Sequence, residues 1–361
     1  MKILPDRRRI LVLTIILLSM SLTLIGCTPG YMADPSPSVP FQSDPSLASQ
    51  PASATPLSET RLLLDTVCTI TVYDPAEQGL LTEALDLCAQ FESMFSRTVE
   101  GGSIWRINHA EGLPVPVEDQ TAELIQAGLD YGALSGGFFD ITVGRLCALW
   151  DFSGNPAVPP PAELATARDT VDYRQVYIEG NTVRLSDPQA WLDLGGVAKG
   201  YIADQIADFL KGRGVKSAII DLGGNIVTVG KKPDGGLWHI GVTQPFGNRS
   251  EIIGSLNVGE ASIVTSGIYE RQFVENGTLY HHILDPSSGM PVESDIVSVT
   301  IVSESSTAGD ALSTIVILLG SEKAVDLLDQ APGLMGAVLM LKSGELLQYG
   351  NIDFSAIEMD E

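Results

Sequence analysis

Positive charge is scarce in this chain of 361 residues: 21 Lys and Arg stand against 45 Asp and Glu, a formal net charge of −24. So acidic a balance argues against nucleic acid as a partner, because binding phosphates along a strand needs a basic face. Any anionic ligand must then be held by a metal ion or by local backbone dipoles. Cysteine is equally scarce. Besides Cys27 there are Cys68, Cys88 and Cys147, an odd and widely spaced set that makes neither a disulfide framework nor a zinc site. They read as small buried apolar residues. Histidine is limited to four, two of them adjacent, His281 and His282. What is present, 44% hydrophobic and 18% charged residues, is an ordinary globular composition long enough for a sizeable core.

The N-terminus reads as a targeting segment. Lys2 and Arg7-Arg8-Arg9 form a positive start, an apolar run follows from Ile10 to Ile25, and Leu24-Ile25-Gly26-Cys27 resembles a bacterial lipobox. The run is slightly short for a membrane span. Residues 1–26 are therefore expected to be a lipoprotein signal peptide, with Cys27 lipidated and the protein held at the cell membrane on its extracytoplasmic side. Residues 28–58 carry seven prolines among Ser, Ala, Asp and Gln, so 27–58 reads as a disordered tether. The folded unit is expected over 59–361.

Within it, Cys68, Ile70 and Val72 alternate with polar neighbours, the period of a half-buried strand. Leu81, Leu85, Cys88, Phe91 and Phe95 recur at helical spacing. Further helices are expected at Asp119–Leu134, Val197–Leu210, Thr307–Leu319 and Glu322–Leu328. Short strands are expected at Val176–Ile178, Val183–Leu185, Trp191–Leu194, Ser217–Leu222, Ile226–Val229, Trp238–Val242, Ile263–Thr265 and Val297–Ser303, with a last hairpin of Gly336–Leu341 and Leu346–Tyr349. Strands and helices without a regular strand–helix–strand repeat predict an α+β fold. Asp193-Leu194-Gly195-Gly196 echoes Asp221-Leu222-Gly223-Gly224.

Four segments carry chemistry. Trp191 to Gly200 places two glycines and Lys199 at a helix start, where free N–H groups face an anion; the plainer alternative is a tight turn with a surface lysine. Ser135-Gly-Gly-Phe138-Phe139-Asp140 offers two rings and a carboxylate to an aromatic ligand, or two core aromatics entering a strand. Thr265-Ser266-Gly267, with Tyr280-His281-His282-Ile-Leu284-Asp-Pro286 and Gly289-Met-Pro291, offers a histidine base near neutral pH, or two ordinary strand histidines. Asp310 and Thr314 are four apart on one helix face, hard oxygens suited to Mg²⁺, or simply a polar helix start.

In order, these segments resemble the ApbE family of flavin transferases over about Leu64 to Gly320. The resemblance implies an α+β fold of two T-fold-like halves. It also implies a secreted or lipid-anchored enzyme that uses Mg²⁺ to move FMN from FAD onto a threonine of a target protein, with AMP released. The implied target is a membrane redox subunit. FAD contacts are implied at Leu64, Thr98, Phe138, Phe139, Asp140, Asp193, Lys199 and Leu284, metal contacts at the Gly196 carbonyl, Asp310 and Thr314, and a base at His282. The chain departs from the family at Asp65 (usually glycine), Thr98 (often tyrosine), Asn225 (often aspartate) and Gly309 (usually alanine). Rival expectations are an FAD pyrophosphatase giving FMN and AMP, and a lipid-anchored flavin-binding protein without turnover.

Overall fold

The computed structural model describes Leu11–Val12 and residues 55–152, 154–248 and 251–357. Cys27 and most of the expected leader and tether lie outside the described residues. The first strand of the folded unit, Leu57–Leu63, starts two residues inside the expected tether, which corrects that boundary. Its inward positions are mixed, with Glu59 and Arg61 beside Leu57 and Leu63. Arg61 pairs with Glu59 and Asp86, so charge rather than apolar alternation marks this strand.

A nine-stranded sheet forms the middle layer. Its order is Leu11–Val12, Leu346–Gly350, Leu334–Leu341, Ile296–Ser303, Ala261–Gly267, Asn225–Gly230, Ser217–Leu222, Thr66–Val72, Leu57–Leu63. Every neighbouring pair is antiparallel. Alternation sends side chains to two different cores. Ala218, Ile220 and Leu222 join the large cluster, whereas Ile219 between them joins the smaller one.

The helices Gln78–Phe95, Ala198–Gly212 and Ser306–Leu328 fill the first side. In Gln78–Phe95 the buried residues are Leu81, Ala84, Leu85, Cys88, Phe91 and Phe95, a stripe of helical period. Ser306–Leu328 is buried almost all round, and Gly320 (φ 76°) breaks it in two, as the two separate helices expected there require. A three-stranded antiparallel sheet of Trp238–Thr243, Ile252–Val258 and Asp353–Ala356 covers the other side. Trp238, Ile240, Ile253 and Leu256 pack there on Ile219, Ile226 and Ile263. The fold is α+β, as expected.

One expected strand needs correction. Trp191–Leu194 is not a strand: apart from one bridge between Val143 and Trp191, the Asn108 carboxamide satisfies Leu192, accepting from its N–H at 2.7 Å and donating to its carbonyl at 2.9 Å. A side chain has taken the place of a neighbouring strand. The echoed tetrapeptides also differ locally. Asp193–Gly196 leads into a helix, whereas Gly223 (φ 69°) and Gly224 (φ 94°) turn the hairpin between Ser217–Leu222 and Asn225–Gly230.

Candidate active site

Two helices cap each other's starts. The N-cap residue of Ala198–Gly212, Val197, makes no side-chain cap. The Asp310 carboxylate supplies one from the other helix, accepting from Gly200 N at 2.9 Å. In return Asp204 accepts from Ser305 Oγ (2.8 Å), Ser306 N (2.8 Å), Thr307 N (2.9 Å) and Thr307 Oγ1 (2.7 Å). Each carboxylate thus satisfies donors that a helix start leaves open. The crossing needs Gly200, since a Cβ there would stand 2.2 Å from the Ser306 carbonyl oxygen.

Asp310 is buried, at 3% exposure. Burial raises its carboxyl pKa, opposed by the Lys199 charge and the Gly200 amide. One turn on, the Thr314 hydroxyl lies 3.4 Å from the Asp310 carbonyl oxygen. A Cβ on Gly196 would lie 3.6 Å from Thr314 Oγ1 and 2.8 Å from Phe139 Cε2. The three residues expected to hold metal, Gly196, Asp310 and Thr314, therefore come together although 118 positions separate the outer two (314 − 196). A carboxylate, a hydroxyl and a peptide carbonyl are the hard oxygen donors that Mg²⁺ takes, so the residues present fit that ion. Among the described residues no three His, Cys, Asp or Glu side chains converge, so a cation at this crossing would have one carboxylate and neutral oxygens as ligands.

The strand ends complete the rim. Thr66, Gly223-Gly224 and Thr265–Gly267 lie at one end of the large sheet. Ser266 Oγ meets Ser313 Oγ at 2.7 Å, tying that end to the Asp310–Thr314 turn. Leu64 (φ 55°) and Asp65 (φ 57°) form the hairpin tip above, with Leu64 N donating to Glu92 at 2.8 Å. Both take the left-handed backbone that glycine adopts more easily, so Asp65, where the family favours glycine, costs local strain. Thr98 follows the Gln78–Phe95 helix, and its hydroxyl meets Ser96 Oγ at 3.0 Å. Asn225 meets the Ser306 hydroxyl at 2.5 Å.

Asp193 is held twice: its Oδ1 accepts from Gly195 N at 2.8 Å and its Oδ2 from Arg97 Nε at 2.8 Å. Burial, with Asp193 beside it, pushes the Cys147 thiol well up. The Phe138-Phe139-Asp140 group divides. Phe138 is 41% exposed and lies near Lys323, whereas Phe139 is buried against Gly196. Asp140 is buried with its carboxylate spent internally, on Thr142 N (2.7 Å), Thr142 Oγ1 (2.6 Å) and Tyr173 N (2.9 Å). It holds the loop that carries Phe139. Leu284 packs its side chain into a cluster with Leu146 and Trp150.

The two histidines also separate. His281 is 6% exposed, its Nδ1 has no partner among the described residues, and burial pushes its pKa down to about 4. His282 is half-buried, with Nδ1 3.3 Å from the Arg271 carbonyl oxygen. A carbonyl only accepts, so this contact fixes the proton on Nδ1 and leaves the Nε2 lone pair open. Burial, then the charge of Arg271, pushes the His282 pKa down to about 3, with Lys199 contributing. Sequence reading misses Arg97, Asp204 and Arg271. Each acts across a long separation, and no local spacing announces it.

Crossed helices that cap each other over an antiparallel sheet, with hard oxygens at the crossing and a neutral histidine on the rim, define an α+β protein with one composite site. Residues 64–339 match the ApbE family model, and the chain belongs to the ApbE family. It is 35% identical over 297 residues to the FAD:protein FMN transferase of Treponema pallidum, covering 76% of this chain and 82% of the relative. It is 34% identical over 276 residues to that of Klebsiella pneumoniae, covering 75% and 85%. The crystal structure of the ApbE protein from Thermotoga maritima superposes with a TM-score of 0.74 at 31% identity, over 81% of this chain and 96% of that one. The flavin transferase ApbE from Vibrio cholerae does so with 0.72 at 27%, over 82% and 96%.

Proposed function

We propose that this chain transfers FMN from FAD to a threonine hydroxyl of a target protein and releases AMP, with Mg²⁺ bound by Asp310, Thr314 and the Gly196 carbonyl. The convergence of those three residues at the helix crossing carries the reading, in a chain whose relatives are named FAD:protein FMN transferases. When bound, the ion neutralises phosphate charge on FAD and on the leaving AMP. The rest falls to the protein. The helix start at Gly196–Lys199 and the Lys199 ammonium attract the pyrophosphate. Phe139, Leu64 and Thr98 bound the flavin side. Threonine Oγ attacks the FMN phosphorus, the bond from that phosphorus to the bridging oxygen breaks, and AMP leaves with the bond's electrons. His282 Nε2 takes the hydroxyl proton. Burial and then the charges of Arg271 and Lys199 lower its pKa, and a phosphate anion beside it would raise it toward the range of a useful base.

The apolar run ending in Cys27 supports an anchor of lipid on that cysteine, a tether, and a catalytic unit outside the cytoplasm facing a membrane redox subunit. Incubation with FAD, Mg²⁺ and a threonine-bearing acceptor, read by in-gel flavin fluorescence and AMP release, tests the activity. Fluorescent acceptor with stoichiometric AMP is expected. AMP without labelled acceptor makes the chain a pyrophosphatase, and FAD binding with neither product makes it a binding protein.

A further inference from the structure

We propose that Arg97 is a phosphate-binding residue of this site, which holds FAD by its pyrophosphate while Asp193 holds the guanidinium in place. This rests on the flavin-transferase reading and adds a ligand contact to it. Arg97 donates to Asp193 through Nε alone, at 2.8 Å, and its two Nη nitrogens have no hydrogen-bond partner among the described residues. The pair is half-buried, with side-chain exposures of 26% and 21%. Asp193 in turn is fixed by Gly195 N at 2.8 Å, at the turn that delivers Gly196 and Lys199 to the helix crossing. The guanidinium is thus tied by one edge to the turn that faces the metal-ligand oxygens, with its outer edge unoccupied.

The charge balance gives this arrangement a purpose. The protein carries −24 overall, and Asp193 lies at the helix-start turn where the proposed function puts the dianionic pyrophosphate. Left alone, that carboxylate repels the ligand. Arg97 neutralises it through Nε and retains two Nη groups, whose planar fork suits two phosphate oxygens. A lysine would satisfy Asp193 as a point charge and have no second edge to offer. Arg271, the other guanidinium near the site, stands 3.7 Å from Asp65 and beside His282.

Equilibrium binding of three probes tests the assignment, each with Mg²⁺ present: FAD, ADP, which has the pyrophosphate without flavin, and riboflavin, which has flavin without phosphate. Arg97→Gln is expected to weaken ADP and FAD about tenfold or more, the size of a lost charge-assisted hydrogen bond, and to leave riboflavin unchanged. The same substitution in an Asp193→Asn background separates binding from neutralisation. If Arg97 holds phosphate, ADP affinity falls again in that background. If Arg97 merely neutralises Asp193, the second substitution is silent there, and the proposal is overturned. Equal weakening of riboflavin and ADP also overturns it, since it marks a general loss of the site's shape. Failure of the unaltered protein to bind FAD or ADP would instead remove the flavin-transferase reading itself.

Discussion

Both faces of the large sheet are lined by apolar residues, but only one adds a polar helix crossing. On one, Trp238, Ile240, Ile253 and Leu256 close an apolar layer whose one tryptophan N–H is satisfied by the Gly230 carbonyl at 2.9 Å. On the other, two helices cross so closely that a glycine is required, and two aspartates cap helix starts about a hundred positions away. The first face is held by area removed from water, which has no direction. The second has a larger apolar core of its own and adds directed hydrogen bonds to carboxylates, and the same oxygens that fix the helices remain as donors for a ligand. The site lies where the fold depends on polar groups, so disturbance there reaches chemistry, whereas disturbance of the apolar face reaches stability.

The sharpest test of that contrast is Asp310→Asn. The carboxamide oxygen still accepts from Gly200 N, so the cap survives while the charge is lost. AMP release at ordinary Mg²⁺ should be abolished in a folded protein. Thr314→Ala should reduce it partly, and excess Mg²⁺ should restore Thr314→Ala more than Asp310→Asn. Full activity of folded Asp310→Asn removes the metal from the mechanism. Next in size, His282→Ala should slow transfer by about 10²–10⁴-fold with FAD affinity little changed. An equal loss of FAD binding would make the histidine a holder of substrate.

On the apolar face, Trp238→Ala should cost about 3–5 kcal/mol of stability in denaturant unfolding, with unchanged turnover per folded molecule below the transition. A matching fall in turnover would mean that the two faces are coupled. Smallest is the acid response of His281. Its pKa of about 4 in the folded chain lies below the ordinary value of 6.5, so the unfolded chain binds the extra proton. The stability it contributes is present above about pH 6.5 and is lost as pH falls toward 4, at most roughly 3 kcal/mol. His281→Phe should flatten that part of a pH–stability curve, and an unchanged curve would mean the ring titrates normally.

Much of the fold is legible in the sequence. Asp119–Leu134 has the bounds its apolar spacing predicts, and Thr66–Val72 buries Cys68, Ile70 and Val72 at period two. Helix-face spacing alone puts Asp310 and Thr314 together. Leu57–Leu63 escapes notice because charged pairs fill its inward face, and Trp191–Leu194 misleads because Asn108 replaces its strand partner. Asp140 and Leu284 are drawn toward the ligand site by their neighbours in sequence, yet their side chains turn into the protein.

Periodicity and composition act over a few neighbouring positions, so they reveal most of the elements, the acidic character and the residue types able to hold a cation and a phosphate. Only the tertiary structure decided which of those residues meet. Asp204 reaches Ser306, Asp310 reaches Gly200 and Arg97 reaches Asp193 across about a hundred positions each. It also separated His281 from His282, and Phe138 from Phe139, since burial and partners differ between adjacent side chains that point opposite ways. A hydrogen bond needs its partner within about 3 Å, and no local pattern records where the chain will return.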